Sequence, residues 1–234
     1  MRIRLNIVSR RVETIVPKAR LAEGACFALA HSIDVLLTAA GLFSQKNASA
    51  SFAMAVMARE EHGRFQLLAS RYASMSDTDT VSAKVLLLEL KDHKPKLSAG
   101  QSVTPVPMSA PERKEWEEAC LSGNEAVASA ISGRIRARAK KIKPHQVAAL
   151  HVRRMRAQYV DIDVSTGEWT TPTSITLDEA DGLLRTIHAE LANTLIVAPK
   201  MLWLRDAQMT CQVSVPAMGE FSHRFFAAAF ARDA

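Results

Sequence analysis

The sequence has little of what usually staples or nucleates a small fold. Aromatic residues are 6% of its 234 positions. So few aromatics, beside abundant alanine and leucine, argue against a β-sandwich and for helices. Its three cysteines, Cys26, Cys120 and Cys211, are scattered and odd in number. That argues against a disulfide framework and fits free thiols in a reducing compartment, the cytoplasm. No Cys-x-x-Cys occurs, and no two of the seven histidines stand at His-x-x-x-His spacing. A metal site is therefore not expected. There is no Gly-x-Ser-x-Gly, no Walker loop and no dinucleotide fingerprint, so a serine hydrolase, a nucleotide-hydrolysing engine and a bound cofactor are not expected either. The most apolar stretch, Cys26 to Phe43, is interrupted by His31 and Asp34, which speaks against a membrane span.

What the chain does have is apolar content of 48% and a formal net charge of +6. The first suffices for a sizeable core. The second makes a polyanionic partner plausible. Residues 1–20 read as a basic extension with no apolar signal core. Helical periodicity begins at Leu21 and runs to Leu42, with Ile33, Leu36, Leu37 and Ala40 as its stripe. A short polar connection leads to a second helix from about Ser49 to Tyr72, so the two should form an antiparallel hairpin. A third helix is expected from Asp79 or Thr80 through Leu90, stopping at Asp92-His-Lys-Pro95. Residues 98–111 form a Pro/Ser/Gly-rich linker. Ser109 with Glu112 then carries a capping-box signature, and Asn124 can cap a further helix to about Lys143. Pro144 is expected to end that helix and start another through Arg156. Alternation over Tyr159–Asp163 and at Glu168–Thr170 suggests a small β-hairpin. Thr176 and Glu179 cap a long helix carrying Leu184, Ile187, Leu191 and Leu195. Residues 196–234 read as a C-terminal extension in which the pattern decays after Pro199, apart from a short helix expected from Glu220 to Arg232.

Two stretches carry chemistry. In the second helix the apolar stripe through Val56 and Met57 passes through Glu60 and Arg64 before Leu67. Those two lie one turn apart and can pair, either on a half-exposed face or inside the bundle. Residues 126–160 hold Arg134, Arg136, Arg138, Lys140, Lys141, Lys143, Arg153, Arg154 and Arg156 with no acidic residue. A one-signed run of this length is either a solvated face or a surface for phosphates.

The segments Leu21–Ala25, Arg59-Glu60-Glu61-His62-Gly63-Arg64, Asp92-His93-Lys94-Pro95-Lys96-Leu97, Arg156 with Tyr159-Val160-Asp161, and Trp169 with Pro172 resemble the AbiV family of abortive-infection proteins. That family belongs to the all-helical HEPN superfamily, and the resemblance covers residues 21–195. The family's usual lysine at the end of the Glu-Glu motif is Arg64 here. The resemblance implies an all-α, HEPN-like antiparallel bundle acting against phage by shutting down growth or translation. It also implies a possible phage-protein trigger, RNA as partner and a homodimer. Many HEPN domains are metal-independent ribonucleases using an arginine and a histidine. On that pattern the expected catalytic group is Glu60, His93, Lys96, Arg154, Arg156 and Tyr159. Arg134, Arg138, Lys141 and Arg153 are expected to hold RNA, with Glu61 and Arg64 as polar core. A clean arginine-to-histidine spacing is missing from the late helix, where Tyr159 stands in the place of a histidine. Non-catalytic inhibition of translation, or a basic nucleic-acid-binding regulator, stays open as the alternative.

Overall fold

The computed structural model describes residues 14–101, 109–122, 124–158, 161–162, 169–170 and 175–230. Helix α1 (Lys18–Ser44) and helix α2 (Ala48–Ala73) form the antiparallel hairpin at its centre. Both bury small residues in the shared core, Ala25, Ala28, Ala39 and Ala40 on α1 and Ala55 and Ala58 on α2, and the Ser51 hydroxyl of α2 reaches the Ala39 carbonyl of α1 at 2.8 Å. Small side chains let two long helices lie close along their length. The turn between them places Lys46 at φ 60° and lets the Asn47 side chain accept from Ala50 N at 3.2 Å.

A short strand β1 (Ile15–Pro17) pairs antiparallel with β2 (Thr80–Ser82), Val16 opposite Val81. Two short helices follow, α3 (Ala83–Lys91) and α4 (His93–Gly100). Here the structure corrects the sequence reading. The expected third helix is split, and His93 opens α4 instead of closing α3. The cause is Asp92, an extended residue whose carboxylate caps Lys94 N at 3.0 Å. Pro95 then falls in the first turn of α4, where its missing N–H has no intrahelical acceptor to lose.

Helix α5 (Ala110–Leu121) and helix α6 (Glu125–Gln158) form a second hairpin. Helix α6 runs straight through Pro144, against the expected break. Proline removes one backbone bond, leaving the Lys140 carbonyl without its usual donor, but Lys140 is exposed and water can serve it. Packing on both sides of the proline holds the helix, through buried Ile131 before it and Val147 and Ala157 after it. The small hairpin expected near residue 160 is present as β3 (Asp161–Ile162) against β4 (Trp169–Thr170).

Helix α7 (Leu177–Val197) carries the full capping box of Thr176 and Glu179. After a single 3₁₀ turn come α8 (Leu202–Cys211) and α9 (Met218–Ala229). Both pack on α1, and Leu204, Phe221 and Phe225 are fully buried there. The C-terminal segment is thus part of the core, not a loose appendage. Each of those large side chains contributes about 1.5–3 kcal/mol by leaving water. Helix α1 has the length and hydropathy of a membrane-crossing helix, and half of that window is covered by its neighbours. A second apolar cluster joins Phe52 and Val56 of α2 to Leu97 of α4 and Val147 and Ala157 of α6. The candidate site sits at this junction.

Candidate active site at the junction of α2, α4 and α6

Helices α2 and α4 touch backbone to backbone, and two glycines make this possible. A Cβ on Gly63 would stand 1.7 Å from the Lys96 carbonyl oxygen, and one on Gly100 would stand 2.2 Å from the Arg59 carbonyl oxygen. No side chain fits either position. The Glu-Glu-His-Gly segment therefore does two jobs: Gly63 lets α4 lie against α2, and Glu60, one turn earlier, meets what α4 carries.

Glu60 is the centre of the cluster. It is 5% exposed, and both carboxylate oxygens are used. His93 Nδ1 lies 2.8 Å from Oε2, and Arg154 Nη1 lies 2.7 Å from Oε1. Arg154 Nη1 also stands 3.2 Å from His93 Nδ1. A carboxylate only accepts, so the shorter His93 contact requires the proton on Nδ1, and in the neutral ring the lone pair is then on Nε2. The His93 side chain is 45% exposed while Arg154 is 13% exposed, so the imidazole forms the open lip of the cluster. The His151 ring lies 5.7 Å from that of His93, and its buried Nδ1 has no hydrogen-bond partner among the described residues. Lys96 is 4% exposed. Burial lowers its pKa, the Arg64 charge lowers it further, and Glu60 and Glu61 oppose both. Five groups that carry or can take positive charge, His93, Lys96, Arg64, His151 and Arg154, thus surround Glu60 and Glu61. Such a balance favours an incoming anion.

Of the expected catalytic residues, Glu60, His93, Lys96 and Arg154 come together. Arg156 is exposed, and Tyr159 lies outside the described residues. The expected Glu60–Arg64 pair is not formed. Arg64 pairs with Glu61 at 3.0 Å, at side-chain exposures of 37% and 16%, so these two make a rim and not a core. The reason is competition: Arg154 and His93 reach Glu60 from other helices and saturate it.

The buried ion pair is one residue away. Arg59 Nε and Nη2 each donate to Glu190 of α7 at 2.9 Å, both side chains almost wholly buried. Beside it His62 Nδ1 donates to the Gly100 carbonyl at 3.2 Å, and its Nε2 lies 2.8 Å from Thr194 Oγ1. Burial lowers the His62 pKa to about 4, although the bond to Gly100 works against this. The sequence reading missed this layer and did not place His151 in the site. The signal for this layer was a glutamate on the apolar stripe of α7; the place of His151 one turn before Arg154 was visible in the sequence but was not carried into the catalytic group.

The residues expected to hold RNA are more engaged than their one-signed run suggested. Arg138 donates to Glu112 of α5 at 2.6 Å, Arg134 to Glu115 at 3.4 Å, and Arg153 to Glu179. The sequence reading compared charges only within the run, but α5 folds its glutamates against that face. Lys141 stays exposed, as do Arg136 and Lys140, without an acidic partner among the described residues.

A family model described as AbiV, of HEPN type, matches residues 20–192. No curated protein matches the chain, and no solved structure does.

Proposed function

This chain belongs to the AbiV family of HEPN proteins, and on that premise we propose that it is an abortive-infection toxin. In this reading it arrests growth or translation by cutting RNA in the cytoplasm, without a metal. The observation that carries the proposal is the Glu60–His93 contact, which holds a half-exposed imidazole by its Nδ1 and turns Nε2 to the outside as the atom that can take a proton.

The chemistry would run as follows. His93 Nε2 takes the proton of a ribose 2′-hydroxyl, and Glu60 stabilises the imidazolium that results. The 2′-oxygen attacks the adjacent phosphorus, and the 5′-oxygen leaves, giving a cyclic phosphate end. Arg154 and Lys96 supply positive charge for the extra negative charge of the transition state. His151, 5.7 Å ring to ring from His93, is the candidate for returning a proton to the leaving oxygen. Arg136, Lys140 and Lys141 would hold the RNA backbone on the exposed face of α6. A homodimer would set two such faces side by side, and a phage protein would act as trigger.

One observation favours a second reading. Arg154 Nη1 and His93 Nδ1 are both already bonded to Glu60. The cluster would then only fix α4 and α6, and inhibition of translation would come from binding.

The purified protein is incubated with total RNA in the presence of a chelator, beside His93→Gln. Cleavage by wild type and its loss in a variant that melts as wild type does is the expected result. Undiminished cleavage by folded His93→Gln would remove His93 from the reaction, and no cleavage by either protein would favour the binding reading.

A further inference from the structure

Helices α6 and α7 both pack on α2, and the wedge between them is not filled. A cavity of about 390 Å³ remains there, within the range of small-molecule sites, roughly 300–1,000 Å³. Its floor holds Phe52 and Arg59 of α2 and Gln101, the residue that follows α4. Ala149 and Leu150 of α6 form one wall, and Gly182 and Leu183 of α7 form the other. Arg153 of α6 and Glu179 of α7 also line it and pair with each other from wall to wall. The cavity is separate from the Glu60 cluster: Arg153 lines the one, and Arg154, next in sequence, reaches the other.

Two features of the lining point to a ligand. Arg59 is 5% exposed and uses Nε and Nη2 on Glu190. Its third nitrogen, Nη1, has no partner among the described residues and is not sealed from solvent. A guanidinium nitrogen donates most strongly to an anion. Gly182 is the second feature. Glycine inside a helix is disfavoured against alanine, and here a Cβ would meet nothing within 4 Å. No neighbour demands this glycine, and its missing side chain keeps the cavity open.

The charges around the floor select the kind of ligand. Beside the Arg59–Glu190 pair, Lys143 Nζ donates to the Gln101 carbonyl at 2.9 Å, so this layer holds two cations to one carboxylate. Burial lowers the Lys143 pKa, Glu190 opposes this, and Arg59 adds to it; a bound carboxylate would side with Glu190. Arg153 and Glu179 balance each other. Phe52, Leu150 and Leu183 supply an apolar slot. We propose that the cleft binds a small carboxylate with an apolar body, its carboxylate on Arg59 Nη1 and its body between α6 and α7.

The full chain is titrated by calorimetry with naphthoate and, separately, with its neutral counterpart naphthamide. The expected result is saturable binding of naphthoate at one site per chain, about tenfold tighter than the amide through one charge-assisted bond. Gly182→Leu projects a side chain into the cleft and should abolish binding, and Ala149→Leu should do the same from the facing wall. Gly133→Leu, also on α6 but away from the cavity, should bind as wild type does, since a Cβ there meets nothing within 4 Å either. Each variant is melted beside the wild type, and the comparison of acid with amide needs no variant to fold. Absence of saturable binding by the wild type, equal affinity for acid and amide, or undiminished binding in either folded cleft variant would overturn the proposal. None of these readouts involves RNA, so the outcome is independent of the reading of the α2–α4–α6 cluster.

Discussion

Gly63→Ala tests the backbone contact on which the whole cluster depends. In an exposed helix interior this change is stabilising, because alanine is favoured over glycine by about 1 kcal/mol. At Gly63 the new Cβ would lie 1.7 Å from Lys96 O, 2.5 Å from Lys96 C and 2.9 Å from Gly100 N. Ordinary contact for a methyl needs more than about 3 Å, so α4 must retreat by about 1.5 Å. All three obstructing atoms are backbone, so no rotamer change relieves the clash. Overpacking of a well-packed site costs about 1–3 kcal/mol, and rigid backbone puts this site at the upper end or beyond. Even after the propensity gain, a net loss of about 2–3 kcal/mol remains, or a melting temperature lower by roughly 5–10 °C for a chain of this size. The same retreat draws His93 and Lys96 away from Glu60, so any RNA cleavage should fall as well. The assay is urea unfolding beside Gly41→Ala, whose Cβ would meet nothing within 4 Å. Gly41→Ala should unfold at or above the wild-type midpoint. Equal midpoints for Gly63→Ala and wild type would refute the argument that α2 and α4 are locked by glycine.

His62 makes the protein acid-labile. Its folded pKa of about 4 lies below the ordinary 6.5, so the unfolded chain binds the extra proton first. The stabilisation is whole above pH 6.5 and is lost as pH falls toward 4, about 3 kcal/mol over that window. A urea-midpoint series from about pH 7.5 down to 4 should fall through this range in wild type and fall less in His62→Gln. On the exposed face of α6, Arg136, Lys140 and Lys141 changed together to Gln should weaken RNA binding alike across sequences. The slope of log affinity against log salt should drop by about 2, at roughly 0.7 for each phosphate no longer neutralised. Changing Arg134 and Arg138 instead should mainly loosen α5 from α6, since their partners are Glu112 and Glu115. Unchanged binding in the triple variant, measured by filter retention at several salt concentrations, would reduce that face to a solubilising one.

How far the chain could be read without its structure depended on the range of the interaction concerned. Helices α1 and α2, the β3–β4 hairpin and the Thr176–Glu179 box were legible, since periodicity and capping are local. The break at Asp92 was also legible in kind but misread in direction: a proline three residues further on can follow the end of one helix or sit in the first turn of the next. Pro144 was misjudged because a local cost was weighed without the packing of Ile131 and Val147 on either side. The pairing of Glu60 was the larger miss. Arg64 is its neighbour by helical arithmetic, but Arg154 comes from 94 residues away and takes the oxygen. Glutamates 112 and 115 escaped notice as partners of the basic run for the same reason. Only tertiary structure decides which opposite charge arrives first.

Helix α6 joins two places that otherwise have little to do with each other. Arg136, Lys140 and Lys141 lie toward its α5 end, and His151 and Arg154 lie near its other end. From Arg136 to Arg154 the helix rises about 27 Å at roughly 1.5 Å per residue. A rod of that length is stiff in compression and in rotation about its axis. A ligand held at the far end would act through this rod on the guanidinium that braces Glu60 at the near end. The give in this rod is at Pro144, where one rung of hydrogen bonding is missing. A bend there would swing Arg154 away from Glu60 and strip Val147 and Ala157 from Phe52 and Val56, so the two ends of α6 are coupled through α2 itself.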